Sequence, residues 1–128
     1  MRKLTSHQVN ECNAAIEIQP SGEEKNAGGI PFRYDVFGPR KEVAGVGLTP
    51  SFGLNIRFQN GPVIDGINGV TNEVFLAILE DRLVTAQAGA FACNENIEAL
   101  YHVRAAQVCL KSRTDARAAR GVEGTHQV

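Results

Sequence analysis

Apolar and polar side chains alternate from residue 52 to residue 59. Phe52, Leu54, Ile56 and Phe58 are interleaved with Gly53, Asn55, Arg57 and Gln59. A period of two puts one set on a covered face and predicts a strand. Asn60-Gly61 follows and reads as a turn, because both residues tolerate positive φ; Pro62-Val63-Ile64 reads as a short return strand. Phe32, Tyr34 and Val36 alternate in the same way within residues 32–37. Residues 15–19 and 43–46 carry weaker strand patterns. The period then lengthens. Val74, Phe75, Ile78, Leu79 and Leu83 recur at helical spacing, and so do Ile97, Leu100, Val103, Ala106 and Leu110. Each set forms one apolar stripe on a helix. Thr71 or Asn72 can cap the first helix, and Gly89 allows the chain to reverse. The second begins near Asn94, where one of the asparagines can cap it, and runs to Ala119 or Arg120, with Gly121 as its C-terminal stop. At 1.5 Å per residue it is about 40 Å long. Its far end outruns the shorter helix, and the sheet or a partner subunit must cover it, or it stays exposed.

Composition divides the chain at the same place. All five prolines precede residue 63, and ten of the 13 glycines precede residue 70. Proline removes a backbone donor and glycine costs entropy inside a helix, so long helices are excluded from the first half. The expected class is α+β: a small N-terminal antiparallel β-sheet in residues 1–69, then a C-terminal two-helix hairpin and tail in residues 70–128. A chain of 128 residues has room for one compact domain. Residues 20–31 read as a polar, glycine-rich surface connection.

Charge and cysteine usage narrow the function classes. Thirteen basic side chains balance 14 acidic ones, which argues against a general nucleic-acid coat. Three distant cysteines, Cys12, Cys93 and Cys109, offer neither a disulfide framework nor a zinc knuckle. They suit a reducing compartment, and the start of the chain has no apolar run of signal-peptide length, so a cytoplasmic location is expected. Cys93 and Cys109, with apolar neighbours, read as core residues. The glycine-rich stretches match neither a phosphate loop nor a dinucleotide fingerprint. Only His7, His102 and His126 are available as bases, and the adjacent Glu80 and Asp81 cannot face one another on a helix. No catalytic residue, metal ligand or cofactor site is expected.

Binding chemistry is better represented. Arg113, Arg117 and Arg120 are spaced four and three apart and share a helix face. Two readings stand. Cations at a helix C-terminus are favoured by its dipole without any ligand. Alternatively, guanidinium groups on one stripe grip phosphate, or a partner's carboxylates, by paired hydrogen bonds. In the GVEGTHQV that follows, Gly121 and Gly124 allow a tight backbone path with free N–H groups. Thr125 offers a hydroxyl, and His126 can donate to phosphate or stack on a base. The plain alternative for this stretch is a frayed end. Phe91, Asn94 and Asn96 lie at the hairpin turn. Phe91 either plugs that turn or stacks on a base, and asparagine either caps the helix or reads a base edge.

These residues carry a resemblance. GVTNE, FACNEN and RTDARAARGVEGTHQV, within residues 67–128, resemble a helical hairpin found in two families of small phage proteins. One is the anti-Thoeris sponge family; the other is an anti-CBASS cyclic-nucleotide sponge with little sequence ahead of the hairpin. The long strand-like first half makes this chain more similar to the anti-Thoeris family. The resemblance implies a viral anti-defence protein acting in the host cell cytoplasm. It would bind and sequester cyclic ADP-ribose isomers without cleaving them, and so keep an immune effector off. It also implies homodimers, or hexamers built as trimers of dimers, some with a second site for cyclic oligonucleotides. Carried onto this chain, Phe91, Asn94 and Asn96 match the hairpin-turn motif. Arg113, Arg117, Arg120, Gly121, Val122, Gly124, Thr125 and His126 match the helix-end motif. Phe91 would then stack on adenine and the arginines would hold the pyrophosphate. Thr125 and His126 would close the site across a subunit boundary. Ala86 departs from the family, which commonly has a bulky residue there. The alternative is a protein-interaction module that binds an acidic partner through the Arg113, Arg117 and Arg120 face.

Overall fold

In a computed structural model, which describes residues 2–23 and 28–125, the chain divides into two compact units. The first comprises Met1–Gly61 and Asp65–Gly69, and the second Pro62–Ile64 and Val70–Val128. The class is α+β, as the change in periodicity predicts.

The first unit holds β1 (Glu17–Ser21), β2 (Arg33–Phe37) and β5 (Gly53–Arg57) in one antiparallel sheet of that order. Val36 pairs with Ile18 on one side and Leu54 on the other, and Tyr34 pairs with Pro20 and Ile56. This register keeps the apolar set of each strand on a common face. Tyr34 meets Phe58 edge to face at 5.5 Å between centroids. Gly22 and Gly38 lie beneath the rings of Phe32 and Phe52, where a Cβ would collide. A one-turn helix, α1 (Glu11–Ala14), precedes the sheet and is capped by the Asn10 side chain.

Two expectations for this half are corrected. Residues 43–46 do not form a strand of their own. Val43 ends β3 (Arg40–Val43), a turn follows, and β4 (Gly47–Pro50) returns, giving a separate two-stranded ribbon. Gly45 and Gly47 both have positive φ, at +78° and +97°, which bends the chain where the apolar pattern alone suggested extension. Pro62-Val63-Ile64 is not a return strand either, since Val63–Asp65 forms a 3-10 turn. The neighbouring loop is closed by side chains instead. Asn68 Oδ1 accepts from the Asn60 N–H at 2.8 Å, and Gln59 Oε1 accepts from the Asn68 N–H at 2.9 Å.

The second unit is the helical hairpin. Helix α2 (Asn72–Gln87) starts at Thr71, whose hydroxyl accepts from the Val74 N–H. Helix α3 (Asn94–Ala119) has 26 residues, about 39 Å at the standard rise. Its Leu100, Val103, Ala106 and Leu110 are half-buried, as are Phe75, Leu76 and Leu83 of α2. The Glu80 carboxylate accepts from Arg104 Nε at 2.9 Å and from Gln107 Nε2 at 3.3 Å, which ties the two helices together.

A second stripe of α3 is uncovered. Ile97, Tyr101 and Val108 are exposed, Tyr101 at 70%, and with Leu100, Arg104 and Ala105 they line an open apolar groove. Cys93 and Cys109 are exposed as well, against the expectation that they were core. A helix with apolar residues on two faces can satisfy only one of them against a single α2. Among the described residues, Val122 is the buried member of the large aliphatic and aromatic set, while seventeen such side chains are exposed. So little interior for 128 residues is unusual for a chain that folds alone.

Candidate functional site

The expected site residues gather in two clusters at opposite ends of α3. Between Asn94 and Arg117 the helix rises about 35 Å, too far for both ends of one chain to hold one small ligand.

The hairpin-turn cluster is open. Phe91 is 83% exposed, so it does not plug the turn. Its carbonyl accepts from Asn96 Nδ2 at 3.2 Å. The N-cap of α3 is Cys93, which makes no side-chain cap bond, and Asn94 is the first helical residue. Neither asparagine therefore caps the helix. Gln87 does the ordering instead: its Oε1 accepts from the Cys93 N–H at 2.9 Å and ties the end of α2 to the start of α3. No spacing rule singles out Gln87. Asn94 is exposed beside a surface hollow lined by Glu95, Glu98 and His102. Ala86 is half-buried in the last turn of α2.

The helix-end cluster is closely bonded. Arg120 is the C-cap, and Gly121 has φ +72°. The Gly121 N–H donates to the Ala118 carbonyl at 3.0 Å and the Val122 N–H to the Arg117 carbonyl at 3.0 Å. This pair of bonds is a Schellman stop, and it needs the left-handed conformation that glycine adopts without a Cβ penalty. Past it the chain folds back. Thr125 donates to the Val122 carbonyl from both its N–H, at 3.1 Å, and its hydroxyl, at 2.5 Å. The Gly124 carbonyl accepts from the Val63 N–H at 3.1 Å. The described part of this stretch is an ordered loop, not a frayed end. His126 lies outside the described residues.

The three arginines of the stripe are not equivalent. Arg113 is exposed and forms no ion pair among the described residues. Arg120 is exposed at the cap. Arg117 is 8% exposed. Its Nε donates to Glu123 Oε2 at 3.0 Å, and its Nη2 donates to the Val122 carbonyl at 2.9 Å and the Thr125 carbonyl at 3.2 Å. Spacing had put all three on one face and could not rank them; Glu123, which pairs with Arg117, was missed. Its signal was a lone carboxylate six residues after an arginine.

Two titratable groups in this unit shift. Glu80 is held below the ordinary carboxyl value, first by its hydrogen bond from Arg104 and then by that from Gln107. Lys111 is raised by its hydrogen bond to Asp115, which lies 2.8 Å away. Their hydrogen-bond partners are Arg104, Gln107 and Asp115, not the groups of the helix-end loop. Among the described residues no group of three His, Cys, Asp or Glu side chains is placed to hold a metal ion, and no helix is long and apolar enough to cross a membrane.

No family model matches the chain. A curated protein described as Thoeris anti-defense 1, from Bacillus phage SBSphiJ7, is 44% identical to it over 73 residues. Over that stretch the chain is similar to Thoeris anti-defense 1. The match covers 56% of this chain and 51% of that protein, so the chain spans about half the length of the relative it matches. Seventy-three residues is longer than the stretch 70–128. The likeness to Thoeris anti-defense 1 therefore takes in part of the chain ahead of the helices.

Proposed function

We propose that the protein counters Thoeris defence in an infected host cell by binding a cyclic ADP-ribose isomer and holding it uncleaved, in a site shared by two copies of the chain. The uncovered stripe on α3 is the observation that carries this reading. The stripe is centred about residue 103. A two-fold axis at that point pairs each residue with one roughly as far beyond the centre on the other copy. Phe91 then meets residue ~115 of the second chain and Asn94 meets residue ~112, each within a turn of Arg113. The same pairing covers Ile97, Tyr101 and Val108. Two clusters that one chain keeps apart are thus brought to the same level along the paired helices, with Arg113 about 140° around α3 from Val108.

The chemistry suits sequestration. Phe91 presents a free ring face for a purine. Arg113 offers paired donors to a pyrophosphate, and the folded 121–125 loop, with Thr125, walls the site. The kinship with a protein described as Thoeris anti-defense 1 supports the biological setting.

Thermal unfolding with and without a purified cyclic ADP-ribose isomer tests the proposal, followed by heat release and analysis of the ligand. A ligand that binds only the native state raises its stability by about 2.7 kcal/mol at one hundred times Kd. An upward shift with intact ligand returned is the expected result. No shift with any isomer or with cyclic trinucleotides sinks the proposal and favours an acidic protein partner. Altered ligand would make the protein an enzyme.

A further inference from the structure

We infer that Arg117 serves the ligand site as a positioning residue, acting through the 121–125 loop and with Glu123 as its required partner, and does not itself touch the ligand. The inference rests on the reading that the helix end holds an anion. Sequence spacing makes Arg113, Arg117 and Arg120 interchangeable candidates for that role; the structure separates them.

A guanidinium has five N–H donors and no acceptor, so burying it demands partners. Arg117 is nearly enclosed, and it finds those partners within its own chain: the Glu123 carboxylate, the Val122 carbonyl and the Thr125 carbonyl. These three acceptors are the successive corners of the loop that turns back over the end of α3. The Arg117 carbonyl also accepts the Val122 N–H, so the residue grips the loop with both its backbone and its side chain. Val122, the buried apolar residue beside it, is held down by the same contacts.

Turning Arg117 outward to a phosphate would break three hydrogen bonds at once, those to the Glu123 carboxylate and to the Val122 and Thr125 carbonyls, and with them the tie between the helix and the loop. The arrangement is therefore a latch. Glu123 neutralises the guanidinium, the planar fork fixes the loop, and the loop presents Thr125 and its backbone at the end of the helix. Exposed Arg113, one turn earlier, meets the anion. Lysine cannot replace Arg117, because a single ammonium cannot span a carboxylate and two carbonyls in one plane.

Amide hydrogen exchange in the ligand-free full-length protein is measured alongside calorimetric binding of a cyclic ADP-ribose isomer. The variants are Arg117→Gln, Arg117→Lys, Glu123→Gln and the double Arg117→Gln/Glu123→Gln. The expected result has three parts. Exchange at Val122 and Thr125 rises at least tenfold in each single variant before any ligand is added. Binding weakens at least tenfold in each, the lysine variant included. The double variant binds no worse than the weaker single, the coupling of residues that act as a unit. Two results overturn the inference. One is unchanged loop exchange in Arg117→Gln. The other is lost binding in Arg117→Gln with wild-type binding in Glu123→Gln, or with binding kept by Arg117→Lys, since either marks a direct contact through charge. Should Arg117→Gln fail to fold, Glu123→Gln still decides, because the Glu123 side chain is partly exposed and glutamine keeps its size and one acceptor oxygen for Arg117. If the wild-type protein binds no isomer, the ligand reading fails, while the exchange data still report on the latch.

Discussion

The two ends of α3 are built on opposite plans. At its start, Phe91 stands almost wholly in solvent and the turn is held by two side-chain bonds, Gln87 to the Cys93 N–H and Asn96 to the Phe91 carbonyl. At its finish, a Schellman stop, the Arg117 contacts and the Thr125 bonds fold the chain back on itself. The open end displays a surface but lacks anything to enclose a ligand. The bonded end has cations and an ordered loop but, among the described residues, no exposed ring. Each supplies what the other lacks, and the uncovered stripe lies between them. The difference teaches that one chain keeps the two sets of groups apart, and the proposed pairing of two copies is what would join them.

The largest expected effect comes from breaking that pairing. A charge in the middle of the stripe, Tyr101→Glu, buries an unpaired carboxylate in any α3–α3 contact at a cost of several kcal/mol. Sedimentation should show wild-type dimers or larger assemblies and monomers of the variant, which should lose ligand stabilisation as well. A monomeric wild type would mean that the two ends never meet.

Arg113→Ala should weaken ligand binding by about 1.5–3 kcal/mol, the worth of hydrogen bonds to a charged group, with thermal stability unchanged because the side chain is exposed. Calorimetry reads the affinity and a melting curve reads the stability. Phe91→Ala should cost about 1–3 kcal/mol of binding, the worth of one stacked base, again with no loss of stability. Stability lost in either variant would assign that residue to the fold.

At the bonded end the pattern reverses. Gly121 has φ +72°, so Gly121→Ala should cost about 1–2 kcal/mol of unfolding free energy in urea titrations. Binding should weaken only through the displaced loop.

The smallest effect concerns the tie between the helices. The folded Glu80 carboxyl lies below its ordinary value of 4.5, so its contribution is present above that value and is lost as pH falls through the folded one. Wild-type protein should therefore lose stability relative to Glu80→Gln as acid titrations pass below about 4.5. Equal pH dependence of the two would show that the Arg104 contact adds nothing.

The sequence by itself determined where the elements lie. Thr71 caps α2, α3 runs from Asn94 to Ala119, and β5 follows the alternation of residues 52–58, because periodicity and capping are local properties read within a few residues. The turn at 44–46 and the 3-10 segment were misread as strands for the converse reason. Short apolar runs are ambiguous, and glycine φ values and a side-chain-closed loop decide them. Gly121 as a helix stop was legible, since only one residue type suits that conformation cheaply. Which apolar stripe of α3 meets α2, and which is left uncovered, was decided by tertiary structure, because both stripes have helical period. So was the fate of Arg117. Three arginines at helical spacing are equal on a helical wheel. Only the return of the chain past Gly121, with Glu123 and two carbonyls in reach, takes one of them out of solvent.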